Sequence, residues 1–344
     1  MSQTLKGRDY IETQDFTVAE INELVALADD LKAKFHRGEA ALLLPNQTVF
    51  LLFFDKSTRT RNAFEAGATQ LGAHAHFLDS KLTQIAHGET GYDTGKILSN
   101  MGHGIAIRHD LIPEQGNPYL RQVAEAADVP VINMQCDVDH PTQTLADLMT
   151  IREHFGKDLA GKKIAVTWAY APSYARPLSV AQGLITLMTR FGLDVTLAHP
   201  PGYELMDRTL DAARRNAKQA GTQFQVVDSM DDAFADADIV YPKSWGAYDR
   251  MIQKRDATDD ATINEIERAC LAMNDKHKHW ICDDRRMRLA KDSAVYMHCL
   301  PADRGCEVTD SVIDGPQSIV FQEAENRLHT AKAIMASTMR ERPF

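Results

Sequence analysis

No run of 18 apolar residues occurs in this 344-residue chain, and no charged-then-apolar leader opens it, which argues against a membrane span or a secretory signal. Positive charge is also in short supply. Thirty-eight lysines and arginines against 48 aspartates and glutamates leave a formal charge of −10. That balance disfavours a broad surface for nucleic acid or anionic membrane, although a local basic pocket for a small anion stays open. Cysteine is scarce as well: Cys136, Cys270, Cys282, Cys299 and Cys306 are an odd number without paired short spacings. Reduced thiols fit better than a disulfide framework, so a soluble, cytoplasmic protein is expected. No fixed-period repeat and no low-complexity segment is found. No Gly-x-Gly-x-x-Gly turn follows the apolar run at Val166, where Trp168 and Tyr170 would obstruct a pyrophosphate. His277, His279 and Cys282 are close together, but they lie in a lysine-rich segment without a second ligand pair. No metal site is expected.

What is present suits a globular protein of two domains, with 44% hydrophobic and 25% charged residues. Thr17-Val18-Ala19-Glu20 has capping-box spacing, and Ile21, Leu24, Val25, Leu27 and Leu31 then predict one apolar helix face. Strands are expected at Val49–Phe54, Ala73–Leu78, Gly104–Arg108 and Val129–Met134. Asp79–Thr94 reads as a polar loop running into a helix. Leu145, Leu148 and Ile151 predict a helix leaving the first domain, and Gly156–Gly161 marks the junction. A second series follows: strands at Lys163–Trp168, Asp194–Ala198, Gln223–Val227, Asp238–Tyr241 and Ala294–His298. Helices are expected at Leu178–Phe191, near Leu210–Ala220, from Met230 to Phe234, and within the charged segment Arg255–Arg288. This alternation implies an α/β chain with two doubly wound parallel-sheet domains.

The densest chemistry lies where the apolar run ending at Phe54 meets Asp55-Lys56-Ser57-Thr58-Arg59-Thr60-Arg61. The residues after Arg61 have helical spacing, and Ser57 stands where an N-cap belongs. A strand opening into a helix through Ser-Thr-Arg-Thr-Arg offers unpaired N–H groups, hydroxyls and a cation at one point, as a phosphate dianion requires. An ordinary capped helix with solvated arginines is the alternative that local sequence leaves open.

This stretch resembles the phosphate-binding motif of the aspartate/ornithine carbamoyltransferase family. Gln84-Ile85-Ala86-His87-Gly88-Glu89, Ile107-Arg108, His140-Pro141-Thr142-Gln143, His298-Cys299-Leu300-Pro301 and Glu323-Ala324-Glu325-Asn326-Arg327 match that family in order. The resemblance covers nearly the whole chain. It implies a carbamoyl-phosphate domain at 1–150, with a C-terminal helix at 324–344 packing back on it. It also implies an amine-acceptor domain at 151–323, and a cleft between the two. By the same resemblance Ser57, Thr58, Arg59 and Thr60 hold the phosphate, joined by Arg327. Arg108 and His140, with Thr60, polarise the carbonyl oxygen, the effect usually largest in acyl-type transfer. Gln143 accepts from the carbamoyl NH2, together with main-chain carbonyls near Leu300. Cys299 shapes the pocket without becoming a nucleophile. Gln84 reaches into a neighbouring subunit, which implies a homotrimer or a multiple of trimers with shared sites. No cofactor is implied.

The acceptor side departs from ornithine enzymes, which carry an acidic residue and a serine-methionine-glycine motif for an α-ammonium. Here Pro242-Lys243-Ser244-Trp245-Gly246 stands instead, and a lysine repels ammonium and attracts a carboxylate or acyl oxygen. The loop is similar to that of acylornithine carbamoyltransferases and of a related knotted group of unassigned substrate. A solvated loop lysine is the alternative. Trp168–Pro177, stiffened by two prolines, supports the same subgroup and implies a trefoil knot in the second domain. Tyr174, Arg176, Trp245 and Arg304 are further acceptor candidates. The expectation is a carbamoyltransferase acting on carbamoyl phosphate and a small amine or ureido substrate, in either direction. An ordinary ornithine carbamoyltransferase is the near alternative. A nicotinamide-dependent oxidoreductase and a non-catalytic phosphate-ligand binding protein are the distant ones.

Overall fold

A computed structural model describes residues 5–339. The chain divides into two compact units, one made of Met1–Asp110, Glu114–Thr150 and Ala324–Phe344, the other of Leu111–Pro113 and Ile151–Glu323. Among the described residues no helix is long and apolar enough to cross a membrane.

In the first unit, α1 (Val18–His36) starts on the expected capping box: Thr17 Oγ1 accepts from Glu20 N–H at 3.2 Å, and Glu20 Oε2 accepts from Thr17 N–H at 2.8 Å. The sheet comprises β1 (Thr48–Phe53), β2 (His74–Asp79), β3 (Gly104–His109) and β4 (Val131–Cys136), all parallel, in the order β2-β1-β3-β4. Their crossovers carry α2 (Arg59–Gln70), α3 (Gly91–Met101) and α4 (Gly116–Ala126). α5 (Pro141–Phe155) follows β4. Strands β1, β3 and β4 bury nearly every side chain, which is why they read as unbroken apolar runs. Edge strand β2 alternates, with His74 and His76 outward. The C-terminal helix (Val320–Thr338) begins four residues before the expected start and bonds to the first unit, for example through Lys32 Nζ to Asn326 Oδ1 at 2.7 Å.

The second unit holds β5 (Lys163–Trp168), β6 (Asp194–Ala198), β7 (Phe224–Val227), β8 (Ile239–Lys243) and β9 (Val295–Tyr296), parallel in the order β7-β6-β5-β8-β9. Around them run α6 (Ser179–Met188), α7 (Asp207–Ala220), α8 (Met230–Phe234), α9 (Tyr248–Asp256), α10 (Asp260–Asp275), α11 (Asp284–Met287) and α12 (Asp310–Ile313).

Three local expectations need correction. The last strand is two residues, because the chain leaves the ladder after Met297, whose N–H still donates to the Val240 carbonyl at 3.0 Å, and turns through a left-handed Leu300 (φ 53°). Helix α4 went unforeseen, since its start, Gly116-Asn117-Pro118, looks like a breaker. Gly116 is there because a Cβ would sit 1.9 Å from the His109 carbonyl oxygen. Ser57 is not the N-cap of α2. That position falls on Thr58, whose side chain makes no cap, while Ser57 Oγ still accepts from Thr60 N–H at 3.2 Å.

Candidate active site

In each sheet two neighbouring central strands send their chains to opposite sides, β1 and β3 in the first and β5 and β8 in the second. The carboxyl ends of such strand pairs are where open α/β sheets bind ligands. Both groups of candidate residues stand at these ends.

In the first unit Phe53 pairs with Arg108 in the β1–β3 ladder, so the Ser57–Thr60 loop and Arg108 leave the sheet side by side. The β3–β4 register shifts between Ile107 and Arg108, a bulge of the kind that re-aims a side chain. Arg108 Nη1 then donates to Ser57 Oγ at 3.3 Å and Thr60 Oγ1 at 3.2 Å. Asp110, which sequence reasoning did not single out, accepts from Arg108 Nε at 3.1 Å and Nη2 at 2.9 Å. Arg327, from the C-terminal helix, donates to Thr60 Oγ1 as well. Thr60 is thus a buried hydroxyl shared by two guanidinium groups from distant segments.

His140 is buried just ahead of α5, whose first residue is Pro141, a good starter because its missing N–H has no helical partner to lose. Burial, with Arg327, Arg108 and Arg59 nearby, holds its pKa well below the usual histidine range, so the ring is neutral. Its Nδ1 lies 3.3 Å from Thr142 Oγ1. Thr142 Oγ1 also donates to the Met134 carbonyl at 3.2 Å. Only when the hydroxyl turns to donate to Nδ1 instead does the imidazole proton sit on Nε2, the form able to donate to a carbonyl oxygen. Gln143 is buried, and its Nε2 donates to Asp147 Oδ1 at 2.8 Å, which turns the amide oxygen away from Asp147. Gln84 is set apart: it is exposed on the Gln84–His87 turn and meets His87 at 3.2 Å. Arg61 pairs with Glu65 at 2.8 Å and lies over the Phe77 ring.

In the second unit Lys243 ends β8 and is buried. Its Nζ donates to the Ser244 carbonyl at 2.8 Å and lies 3.7 Å from Glu307 Oε1. Glu307, also absent from the sequence reading, organises this end of the sheet. It accepts from Ser244 N–H at 2.6 Å and Asp303 N–H at 2.8 Å, with His298 Nε2 3.3 Å away. Burial alone would raise its pKa, but Lys243 and His298 more than offset that and keep it ionised. Asp303 in turn pairs with Arg176, so Arg176, Asp303, Glu307 and Lys243 form one chain of contacts. Trp245 is buried, donating from Nε1 to the Tyr203 carbonyl at 2.8 Å. Ser244 Oγ is buried without a hydrogen-bond partner. Cys299 is buried and forms no disulfide, and Leu300 N–H donates to His298 Nδ1 at 2.9 Å.

Two acceptor candidates have other surroundings. Tyr174 lies beneath Lys254, 4.7 Å from its ring centroid, and Arg304 is spent at the surface on Asp310 and Asp314. The missed residues, Asp110, Asp303 and Glu307, are acids whose sequence neighbourhoods carry no motif. Their one signal was proximity to Arg108 and to His298-Cys299-Leu300-Pro301.

Residues 8–153 match the family described as aspartate/ornithine carbamoyltransferase, carbamoyl-P binding domain, and residues 174–338 match its Asp/Orn binding domain. The chain is 41% identical over 366 residues to YgeW of Escherichia coli K12, a protein whose carbamoyltransferase assignment is provisional, covering all of this chain and 92% of that one. It is 37% identical to N-acetylornithine carbamoyltransferase of Xanthomonas campestris, covering 96% of this chain and 97% of that one. The fold matches a crystal structure of acetylornithine transcarbamylase complexed with acetylcitrulline at a TM-score of 0.85 and 36% identity, covering 97% of this chain and 100% of that one.

Proposed function

The chain belongs to the aspartate/ornithine carbamoyltransferase family, and from that premise we propose that it moves a carbamoyl group between carbamoyl phosphate and an amine bearing an acyl group or a carboxylate. One observation carries the phosphate half of this reading: Thr60 Oγ1 gathers Arg108 and Arg327 at the start of α2. Ser57, Thr58, Arg59 and Thr60 present N–H and hydroxyl donors there, and each charge-assisted bond to phosphate contributes about 1.5–3 kcal/mol. Neutral His140 and Arg108 polarise the carbonyl, and Gln143 accepts from the carbamoyl nitrogen. The neutral amine attacks the carbonyl carbon, the new C–N bond forms as the C–O bond to phosphate breaks, and the departing phosphate takes the amine's proton.

Lys243, Ser244 and Trp245, with Arg176 behind Asp303, select the acceptor. Since Glu307 is matched by Lys243 and Asp303 by Arg176, this edge offers a charge-balanced, donor-rich wall, which suits an acyl oxygen and leaves neither acid uncompensated for a free α-ammonium. That favours an acylated amine over free ornithine. The acetylcitrulline bound by the structural neighbour is such an acylated ureido compound. Arg304 and Tyr174 play a lesser part, given their partners.

The reading extends to a cytoplasmic homotrimer in which Gln84 reaches a neighbouring site. It extends also to a threaded Trp168–Pro177 loop, supported by the bonds from Tyr170 N–H to Trp280 O and from Asn274 Nδ2 to the Ala171 and Ser173 carbonyls. A panel of free and acylated diamines, assayed for ureido product with carbamoyl phosphate, tests the acceptor. Arg59→Ala should abolish turnover with the fold retained; an active Arg59→Ala enzyme would overturn the phosphate assignment.

A further inference from the structure

A second group of side chains with ligand chemistry lies in the first unit. His36 is the last residue of α1, while Glu325 and His329 stand one turn apart on the C-terminal helix. Glu325 Oε1 lies 2.8 Å from His36 Nε2 and 3.7 Å from His329 Nε2. One donor atom from each residue falls within 4.8 Å of the other two. Ligand atoms on a tetrahedral ion with bonds of about 2.0–2.2 Å stand roughly 3.3–3.6 Å apart, so small side-chain movements would close these three around one ion.

His329 supplies the independent sign. It is fully buried, it faces the other two residues, and neither of its ring nitrogens has a hydrogen-bond partner. Buried polar groups are nearly always paired, and an orphaned one calls for an explanation. His36, by contrast, is 56% exposed and gives the cluster access to solvent. Two cations are near. Lys32 Nζ is held by Asn326 Oδ1 at 2.7 Å, and Lys332 Nζ by Gln70 Oε1 at 3.0 Å. They weigh against a hard ion gripped by charge alone, such as magnesium or calcium, which in any case takes oxygen donors. Two imidazoles and one carboxylate instead match the donor preference of zinc and its neighbours.

We propose that His36, Glu325 and His329 bind a divalent transition-metal ion of the zinc type, with water in the fourth position, clamping the end of α1 to the C-terminal helix. Its three ligands are none of the carbamoyl-transfer residues, although Glu325 and His329 flank Arg327 on the same helix.

Chelator-stripped full-length protein should be titrated calorimetrically with zinc chloride and, separately, magnesium chloride, and its melting temperature followed. Because buried His329 is a risky position to alter, the deciding variants are His36→Ala and Glu325→Gln, with His277→Ala/His279→Ala as the control for the other histidine cluster. The expected result is one zinc equivalent lost in His36→Ala, weakened in Glu325→Gln and retained in the control, with no matching magnesium uptake. The affinity loss in His36→Ala should be at least about 100-fold, since groups one shell further out are already worth about 10–100-fold. Zinc should raise the melting temperature of the wild type and not of His36→Ala. No zinc uptake, uptake indifferent to both deciding variants, or uptake lost only in the control would overturn the assignment.

Discussion

Arg108 and Asp110 face each other through two hydrogen bonds, Nε to Oδ1 at 3.1 Å and Nη2 to Oδ2 at 2.9 Å. The carboxylate occupies one edge of the guanidinium and leaves Nη1 for Ser57 and Thr60. Burial pushes the Asp110 carboxyl up to about 7 against the opposing pull of Arg108.

Asp110→Asn keeps the shape and removes the charge that orients Arg108. A misplacement of about 1 Å at such a group costs roughly 100-fold. We therefore expect kcat/KM for carbamoyl phosphate to fall by about that factor, in protein that circular dichroism shows to be folded. Full activity in steady-state assays would show that Arg108 is oriented by other means.

Thr60→Val is close to isosteric and deletes the oxygen shared by Arg108 and Arg327. The two guanidinium groups lose their common anchor, and inorganic phosphate should bind more weakly by about 1.5–3 kcal/mol. Calorimetric titration with phosphate measures this directly.

Glu307→Gln leaves Lys243 buried without its counter-charge, and breaking a buried pair from one side typically costs about 3–5 kcal/mol. Lys243→Met added to Glu307→Gln should recover part of that loss in urea unfolding, because no uncompensated charge is left inside. Acylated-amine turnover should stay low in both. Additive losses would mean that the two side chains are not coupled.

His140 contributes a pH dependence with a defined sign. Its folded pKa lies below the unfolded value of about 6.5, so the stability tied to its neutral form is present above that pH and is lost as pH falls. One proton corresponds to about 1.4 kcal/mol per pH unit. His140→Asn should flatten the stability curve below pH 6.5 by up to that slope. Asp110 acts with the opposite sign, and being present in both proteins it cancels in the comparison.

Most strands were legible because β1, β3, β4 and β5 are buried on both faces and therefore appear as short apolar runs. The start of α1 was legible because a capping box is a local device, with both partners three residues apart. Helix α4 was hidden because Gly116 answers to the His109 carbonyl, a contact between segments. Similarly, Lys243 reads as a free cation in its own loop. Only Glu307, 64 residues on, makes it one half of a buried pair.

The sequence by itself determined the two-sheet α/β plan, the phosphate-loop chemistry at Ser57–Thr60 and the departure from an ammonium-binding acceptor loop, since each rests on neighbouring residues. Tertiary structure alone decided the aim of Arg108 through a register shift against β4, the meeting of Arg108 and Arg327 on Thr60, and the charge state of the Lys243 pocket. Those depend on which distant segments share one low-dielectric space, and no local pattern encodes that.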